Sequence, residues 1–354
     1  MAKKTRNNAQ SVSVSIFRKR LRKFRTFKRG YYSFIVLLSA YTLSFFLPLM
    51  VGNKPLLVTY EGKPYFPMVN FYQSNEFGLE GSAEPDYRKL REHFQETGQG
   101  RVFMPPYPFH PNESLLELPG EPPHAPSKHH WCGTDNRGRD VFARLVYGFR
   151  ISISFALVTT FFAYTVGITI GAMLGYFGGR FDITMQRFIE IWSSMPFLYT
   201  VIIVSSILQP NFLLLSVVLM FFGWMGMTYY VRGEFYREKA KDYVAAAIAM
   251  GASHREVIFR HIMPNALTPV ISFAPFAVVA YIDSLVSLDF LGFGLAPPTA
   301  SWGQLVQQGM DDITFAWWLV LAPLSALFLT LLMVVFIGEA IREAFDPKVF
   351  SRLR

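Results

Sequence analysis

Residues 242–264 read DYVAAAIAMGASHREVIFRHIMP. This small, charged, helix-competent segment stands between two apolar runs, 212–231 and 266–288. Each run is long enough to cross a bilayer, which takes about 20 residues of helix. Why the chain leaves the hydrocarbon for so short a stretch bears on both its fold and its function.

Read physically, the segment is two short helices joined by a turn. Asp242 can cap the first, and Gly251 ends it at the position where a left-handed residue is common. Ser253 and Glu256 have the spacing of a capping box for the second helix, HREVIFRHIM, and Pro264 and Asn265 lead into the next apolar run. Ala245, Ala246 and Ala247 leave the first helix a face almost free of side-chain bulk. Such a face buries little area within its own chain, but it can enter a groove on another protein. An ordinary connecting loop is the alternative reading of the same residues.

The rest of the chain sets the environment. Of its 354 residues 51% are hydrophobic and only 17% are charged, against roughly 25% charged in soluble domains. Six apolar runs of membrane length occur: Tyr31–Val51, Ile151–Phe177, Phe188–Leu208, Phe212–Val231, Ala266–Leu288 and Phe315–Ile337. A backbone in lipid must satisfy its own hydrogen bonds, so these runs predict an all-α integral membrane protein with six transmembrane helices.

The net charge of +9 is localised: residues 1–30 hold eleven Lys/Arg and no acid. A basic cytoplasmic arm ahead of the first span explains this through the positive-inside tendency, with a nucleic-acid arm as the remote alternative. Residues 283–312 carry four Asp and no base, as an outside loop should, whereas 232–264 carry six bases and four acids. Both termini inside, with six crossings, satisfies all three distributions. The first span lacks a small-residue cleavage site in LPLMVGNKP and is expected to remain as an anchor.

The expected organisation is a basic arm (1–30), a first transmembrane helix (31–51), an external insertion (52–148), a five-helix membrane domain (149–343) containing the loop 232–264, and a cytoplasmic tail (344–354). Prolines crowd the insertion between Pro105 and Pro126 and favour extended or turn structure there. His93, His110, His124, His129 and His130, with the single cysteine Cys132, raise the question of a metal site. Their spacing matches no recognised ligand pattern, so a solvated loop is the expectation, with no metal assigned. Gly167, Gly171 and Gly175 clear one stripe of the second span and let another helix approach closely. Pro196, Pro269, Pro275 and Pro323 predict kinks in or near the ends of later spans.

Asp242, Tyr243, Val244, Ala246, Ala247, Gly251, Ser253, Arg260, His261, Pro264 and Asn265 together resemble the cytoplasmic coupling loop of ABC importer permeases. The glutamate that often opens that motif is Ala245 here, so any salt bridge from it is absent. GTDNRGRDVFARLVYGFRIS (133–152), LDFLGFGLAPPTASWG (288–303) and GEAIREAFDP (338–347) resemble the oligopeptide and dipeptide permeases of the C class, in the same order. NKPLLVTYEGKPYFP, from Asn53, with its long insertion looks most like the permease of a peptide importer that also admits microcin C.

The resemblance implies a type I ABC importer permease fold that forms half of a translocation pathway in the bacterial inner membrane. It implies a homologous second permease, ATPase subunits carrying two nucleotide-binding domains, and a periplasmic peptide-binding protein. ATP and Mg would be bound by the ATPase, and this chain would be non-catalytic, with no cofactor of its own. The absence of a G-x-x-x-x-G-K-[ST] phosphate loop agrees with that assignment.

Two rival classes are weighed against it. An ion-coupled secondary transporter usually keeps ionisable groups inside its spans. Here Arg187, Glu190 and Asp283 all fall near span ends. A membrane-anchored enzyme confined to 52–140 leaves five spans unexplained.

Overall fold

The computed structural model describes residues 16–345. The first half of the basic arm and nearly all of the expected tail 344–354 lie outside the described residues. The chain enters through α1 (Ile16–Thr26), α2 (Lys28–Ser44) and a single turn, α3 (Leu47–Met50). The insertion follows with β1 (Leu57–Tyr60), β2 (Lys63–Tyr65), α4 (Tyr87–Thr97) and β3 (Gly100–Phe103). Next come α5 (Val141–Phe177), α6 (Gly179–Ser193), α7 (Phe197–Ile207), α8 (Phe212–Lys239), α9 (Asp242–Ala249) and α10 (His254–Glu256). The chain closes with α11 (Met263–Phe290), α12 (Trp302–Asp311) and α13 (Trp318–Phe345).

Among the described residues, four helical stretches are long and apolar enough to cross a membrane: α5, α8, His254–Phe290 and α13. A fifth arises if α6 and α7 count as one bent span. The run expected at 188–208 is therefore interrupted, bending by 68° between Ser193 and Phe197. Pro196 lacks an N–H and its ring drives Met195 away from helical geometry, which ends α6 and starts α7 on a new axis. The run expected at 31–51 is also divided. Its helix α2 has 17 residues, after which the chain turns at Phe45 and Phe46 before Pro48 opens α3.

The insertion corrects the all-α expectation. Its three strands form an antiparallel sheet in the order β2-β1-β3, with Val58 opposite Tyr65 on one side and Val102 on the other. Glu61 and Gly62 both adopt positive φ, at 49° and 79°. That is the geometry a two-residue hairpin needs to match strand twist. Helix α4 is capped by Asp86, whose carboxylate accepts from the Arg88 amide, and it ends at Gly98 in the left-handed region. Its buried face, Tyr87, Leu90 and Phe94, packs with Val58, Phe77 and Met104 into a separate small core. The expected solvated loop is thus a packed domain, and the proline-rich part between Pro105 and Pro126 contains no helix or strand.

Buried polar groups fasten the later part of the insertion, beyond this domain, to the membrane helices. Asp140 accepts from the Ala143 amide at 2.8 Å and so caps α5. Its other oxygen accepts from the Tyr107 hydroxyl at 2.7 Å and lies 2.8 Å from Nδ1 of His130. Burial, then the neighbouring carboxylate, pushes the Tyr107 phenol well above its ordinary range, so it remains a donor. Arg144, fully buried, donates to the carbonyls of Pro111 at 3.1 Å and Thr299 at 3.3 Å. Cys132 packs beside Val141, Leu305 and Ala316, and burial raises its thiol pKa. Among the described residues no three His, Cys, Asp or Glu side chains are arranged to hold a metal.

The α5–α8 pair forms the tightest helix contact. A methyl at Gly167 would sit 2.7 Å from the Trp224 carbonyl, at Gly171 2.6 Å from that of Thr228, and at Gly175 2.5 Å from Cβ of Phe235. Real Cβ atoms do not approach so closely, so hydrogen at these three positions is what allows the two backbones to touch. Helix α13 packs against α2, α11 and α12 on the other side of the bundle.

Candidate functional site: the loop helix and its anchorage

Helix α9 occupies the quoted stretch, at the end of the bundle opposite the insertion. Lys241, rather than Asp242, is its N-cap, and no side chain caps it. Asp242 instead falls in the first turn, where its charge favours the positive end of the helix dipole. Gly251 follows the helix with φ +85°, a left-handed conformation that closes the turn through its amide to the Ile248 carbonyl at 2.9 Å. A side chain at Gly251 would meet no atom within 4 Å, so the constraint there is backbone conformation alone.

The expected second helix is not separate. Ser253 accepts from the Glu256 amide at 3.3 Å, giving one half of the capping box. Glu256 turns away to Arg260, 3.0 Å distant, so the reciprocal half is missing. From Val257 to Ile262 the backbone widens into a π turn, then continues into α11. Pro264 has no N–H to offer the Arg260 carbonyl, and the widened turn relieves the clash between its ring and that carbonyl. The loop's second half is therefore the first part of a long membrane helix.

Anchorage explains how α9 holds its place. Val244 is buried in a cluster with Tyr176 of α5, Phe235 of α8, Val257 and Ile262 of the π turn, and Ala266 of α11, and Ala247 is buried as well. Polar contacts repeat the same connections. The Tyr243 hydroxyl donates to the buried Glu238 carboxylate at 2.8 Å, and the Asn265 amide donates to that hydroxyl at 3.0 Å. Lys241 also pairs with Glu238 at 2.7 Å. Burial, then the hydrogen bond to Glu238, raises the Tyr243 phenol, so it stays protonated as a donor. His254 lies 2.7 Å from the Tyr176 hydroxyl, and Lys239 donates to the Tyr176 carbonyl at 2.5 Å.

The alanine face divides accordingly. Ala247 points inward, while Ala245 and Ala246 are exposed. The loop also exposes apolar side chains that the motif alone does not single out: Ile248, Met250 at 81% exposure, and Phe259 at 63%. A soluble surface seldom presents such groups together, so the exposed side of the loop has the character of a contact surface. The available signal was Ile248 and Met250, two apolar residues just ahead of Gly251. Arg260 and His261 lie on the approach to α11 and Pro264 in its first turn, and the His261 carbonyl stands 3.2 Å from the hydroxyl of Tyr243. The site joins one outward surface to three membrane helices.

A family model described as binding-protein-dependent transport system inner membrane component matches residues 167–351. The inner membrane ABC transporter permease protein YejE of Escherichia coli is 41% identical over 327 residues, covering 92% of this chain and 95% of its own. The peptidoglycan transport system permease protein YejE of Agrobacterium fabrum is 37% identical, covering 94% of this chain and 93% of its own. The oligopeptide transport system permease protein OppC of Haemophilus influenzae is 38% identical over 62% of this chain and 71% of its own. A solved inward-facing structure of the MetNI methionine ABC transporter aligns with 17% identity and a TM-score of 0.48, covering 58% of this chain and 97% of that one. The matched region includes α8, α9 and α11 as well as the glycine stripe, and the chain belongs to the family of inner membrane components of binding-protein-dependent transport systems.

Proposed function

We propose that this chain is one permease subunit of an ATP-driven importer of peptides, crossing the bacterial inner membrane six times with both termini cytoplasmic. The divided α2–α3 segment supplies the first crossing and the bent α6–α7 pair the third. An ATPase subunit docks on α9, a homologous permease completes the pathway, and a periplasmic binding protein delivers cargo on the insertion side. ATP and Mg reside on the ATPase. The observation that carries this reading is α9 itself: an exposed small-residue surface whose inner side is bonded to α5, α8 and α11. Relatives are named for oligopeptide and peptidoglycan transport, and peptide-bearing cargo is the chemistry those names share. Cargo related to microcin C belongs within that class.

Docking must be strong enough to move the helices. A near-complete swing between two conformations takes about 5.5 kcal/mol of differential binding, and ATP-driven closure against α9 is the proposed source. Sealed vesicles holding the assembled transporter are expected to take up peptide with ATP and without an ion gradient, while the purified single chain turns over no nucleotide. Uptake that follows an ion gradient and ignores ATP would instead make the protein a secondary transporter. Orientation has its own test. Asn112 is exposed in the insertion, and Asn112→Cys in a Cys132→Ala background is expected to react with an impermeant thiol reagent in cells whose outer membrane is permeabilised. Protection there, with labelling only after lysis, reverses the assigned topology.

A further inference from the structure

Beside the loop helix, a cleft of about 610 Å³ opens between α1, α8, α11 and α13. Four cations line it: Arg20, Arg237, Lys241 and Arg342. Two are neutralised in place, Arg237 by Glu234 and Lys241 by Glu238. Arg20 and Arg342 have no carboxylate partner among the described residues. The Arg20 guanidinium lies 4.6 Å over the Phe345 ring, and its Nε is buried without a hydrogen-bond acceptor. A buried donor left unmet is disfavoured, so the cleft has room for an acceptor from beyond the described residues.

The walls narrow the choice of acceptor. Pro269 and Phe273 of α11 give the cleft an apolar side. A second groove of about 440 Å³, almost wholly apolar, lies among α2, α5, α11 and α13, and Leu38, Leu157, Ile271, Ala274, Ile337 and Ile341 are among the residues that bound it. A free phosphate uses the arginines and leaves the groove idle. An amphiphile uses both. Arg18, Lys19, Arg22 and Arg25 are exposed on the same helix, α1, and basic amphipathic helices gather in this way at an anionic membrane surface.

We propose that this cleft binds the headgroup of an anionic phospholipid, with Arg20 and Arg342 on its phosphate and an acyl chain reaching the apolar groove among α2, α5, α11 and α13. Guanidinium forks match phosphate oxygens in geometry as well as charge. A zwitterionic lipid offers the same phosphate but brings its own cation to a site whose unpaired charges are both positive. Bound in this way, the lipid joins α1 to α11 and α13 next to the loop helix. The inference rests on the proposed membrane placement of these helices, and not on the ATPase contact.

The test uses the assembled transporter in nanodiscs of equal phosphatidylglycerol and phosphatidylcholine. It is released into detergent and its retained lipids are counted by native mass spectrometry. Phosphatidylglycerol is expected to be retained selectively, and Arg20→Gln with Arg342→Gln to weaken retention about 25-fold, at roughly fivefold for each arginine near the surface. Arg20→Lys with Arg342→Lys is expected to restore most of it, and Ala274→Phe, which fills the groove, to lower it with both arginines present. Equal retention of the two lipids overturns the proposal, as does undiminished binding by the double glutamine variant. Displacement by millimolar inorganic phosphate reassigns the cleft to a simple anion, and binding by the isolated chain but not the assembly assigns it to the partner permease; either result overturns the lipid site. ATPase co-purification is read in the same samples. Its loss from the unmodified transporter counts against the proposed function, whatever the lipid result.

Discussion

Ala246→Glu and Gly251→Val are each expected to leave the protein in the membrane at its normal level while abolishing ATPase association and peptide uptake. The expectation rests on where the two positions lie. Ala246 is exposed, and exposed substitutions away from special features change stability by only about 0.5 kcal/mol in either direction. A glutamate there adds bulk and charge to a surface otherwise composed of small and apolar groups, so its effect falls on whatever docks. Gly251 has open space around it but holds φ at +85°. Valine in that conformation costs about 1–2 kcal/mol, enough to shift the population of the native turn by about 5- to 30-fold. The turn would open, and Ile248 and Met250 would leave their positions on the outward surface. Membrane abundance, ATPase co-purification and uptake are to be measured together. Full uptake and full ATPase binding in both variants would reduce residues 242–264 to a connecting loop. Lost abundance in both would mean that the segment serves folding instead.

The largest effect on assembly is expected at the glycine stripe. Gly171→Ala places a methyl 2.6 Å from the Thr228 carbonyl and 2.9 Å from Cβ of Val231. Neither neighbour is the free end of a flexible side chain, so α5 and α8 must separate. Overpacking of this kind costs about 1–3 kcal/mol for one site. Gly167, Gly171 and Gly175 share one contact, so the triple alanine variant will depart from a simple sum and is expected not to accumulate as folded protein. A control sits on the same pair of helices. At Gly226 and Gly233 of α8, an added methyl would meet nothing within 4 Å. Alanine at either is expected to be neutral, or to stabilise the helix by up to about 1 kcal/mol. Thermal unfolding of the purified chain in detergent compares the two sets. Equal tolerance at all five positions would remove the packing role assigned to the stripe.

Most of the membrane part was legible because long apolar runs report burial in lipid directly. What was lost depends on single residues whose effects are geometric. The bend before α7 is made by Pro196, visible in the sequence as a kink but not as a 68° change of direction. The small domain of the insertion was hidden because strands of three or four residues show too little alternation to stand out, and its core residues are spread from Val58 to Met104. In the loop, Gly251 and Ser253 were readable from local chemistry. The roles of Tyr243 and Asn265 were not, because their shared partner Glu238 belongs to the preceding helix, and only the fold brings the three together. Asp135, Arg139 and Arg144 were quoted within a motif, yet nothing in spacing says that Arg144 is fully buried and reaches Thr299.

The four longest helical stretches are not mechanically alike. α11 contains Pro269 and Pro275, α13 contains Pro323, and α6 and α7 are already broken, whereas α5 and α8 contain no proline at all. At 37 residues α5 is about 55 Å long, well beyond a hydrocarbon core of about 30 Å. One end of it is fixed to the later part of the insertion through Asp140 and Arg144, and the glycine stripe clamps it to α8, whose far end carries the loop helix. The pair is a stiff beam between the two faces of the transporter. Flexure is left to the proline-bearing helices and the α6–α7 joint, so a push on the loop helix is expected to reach the insertion end of the pair instead of being absorbed along the way.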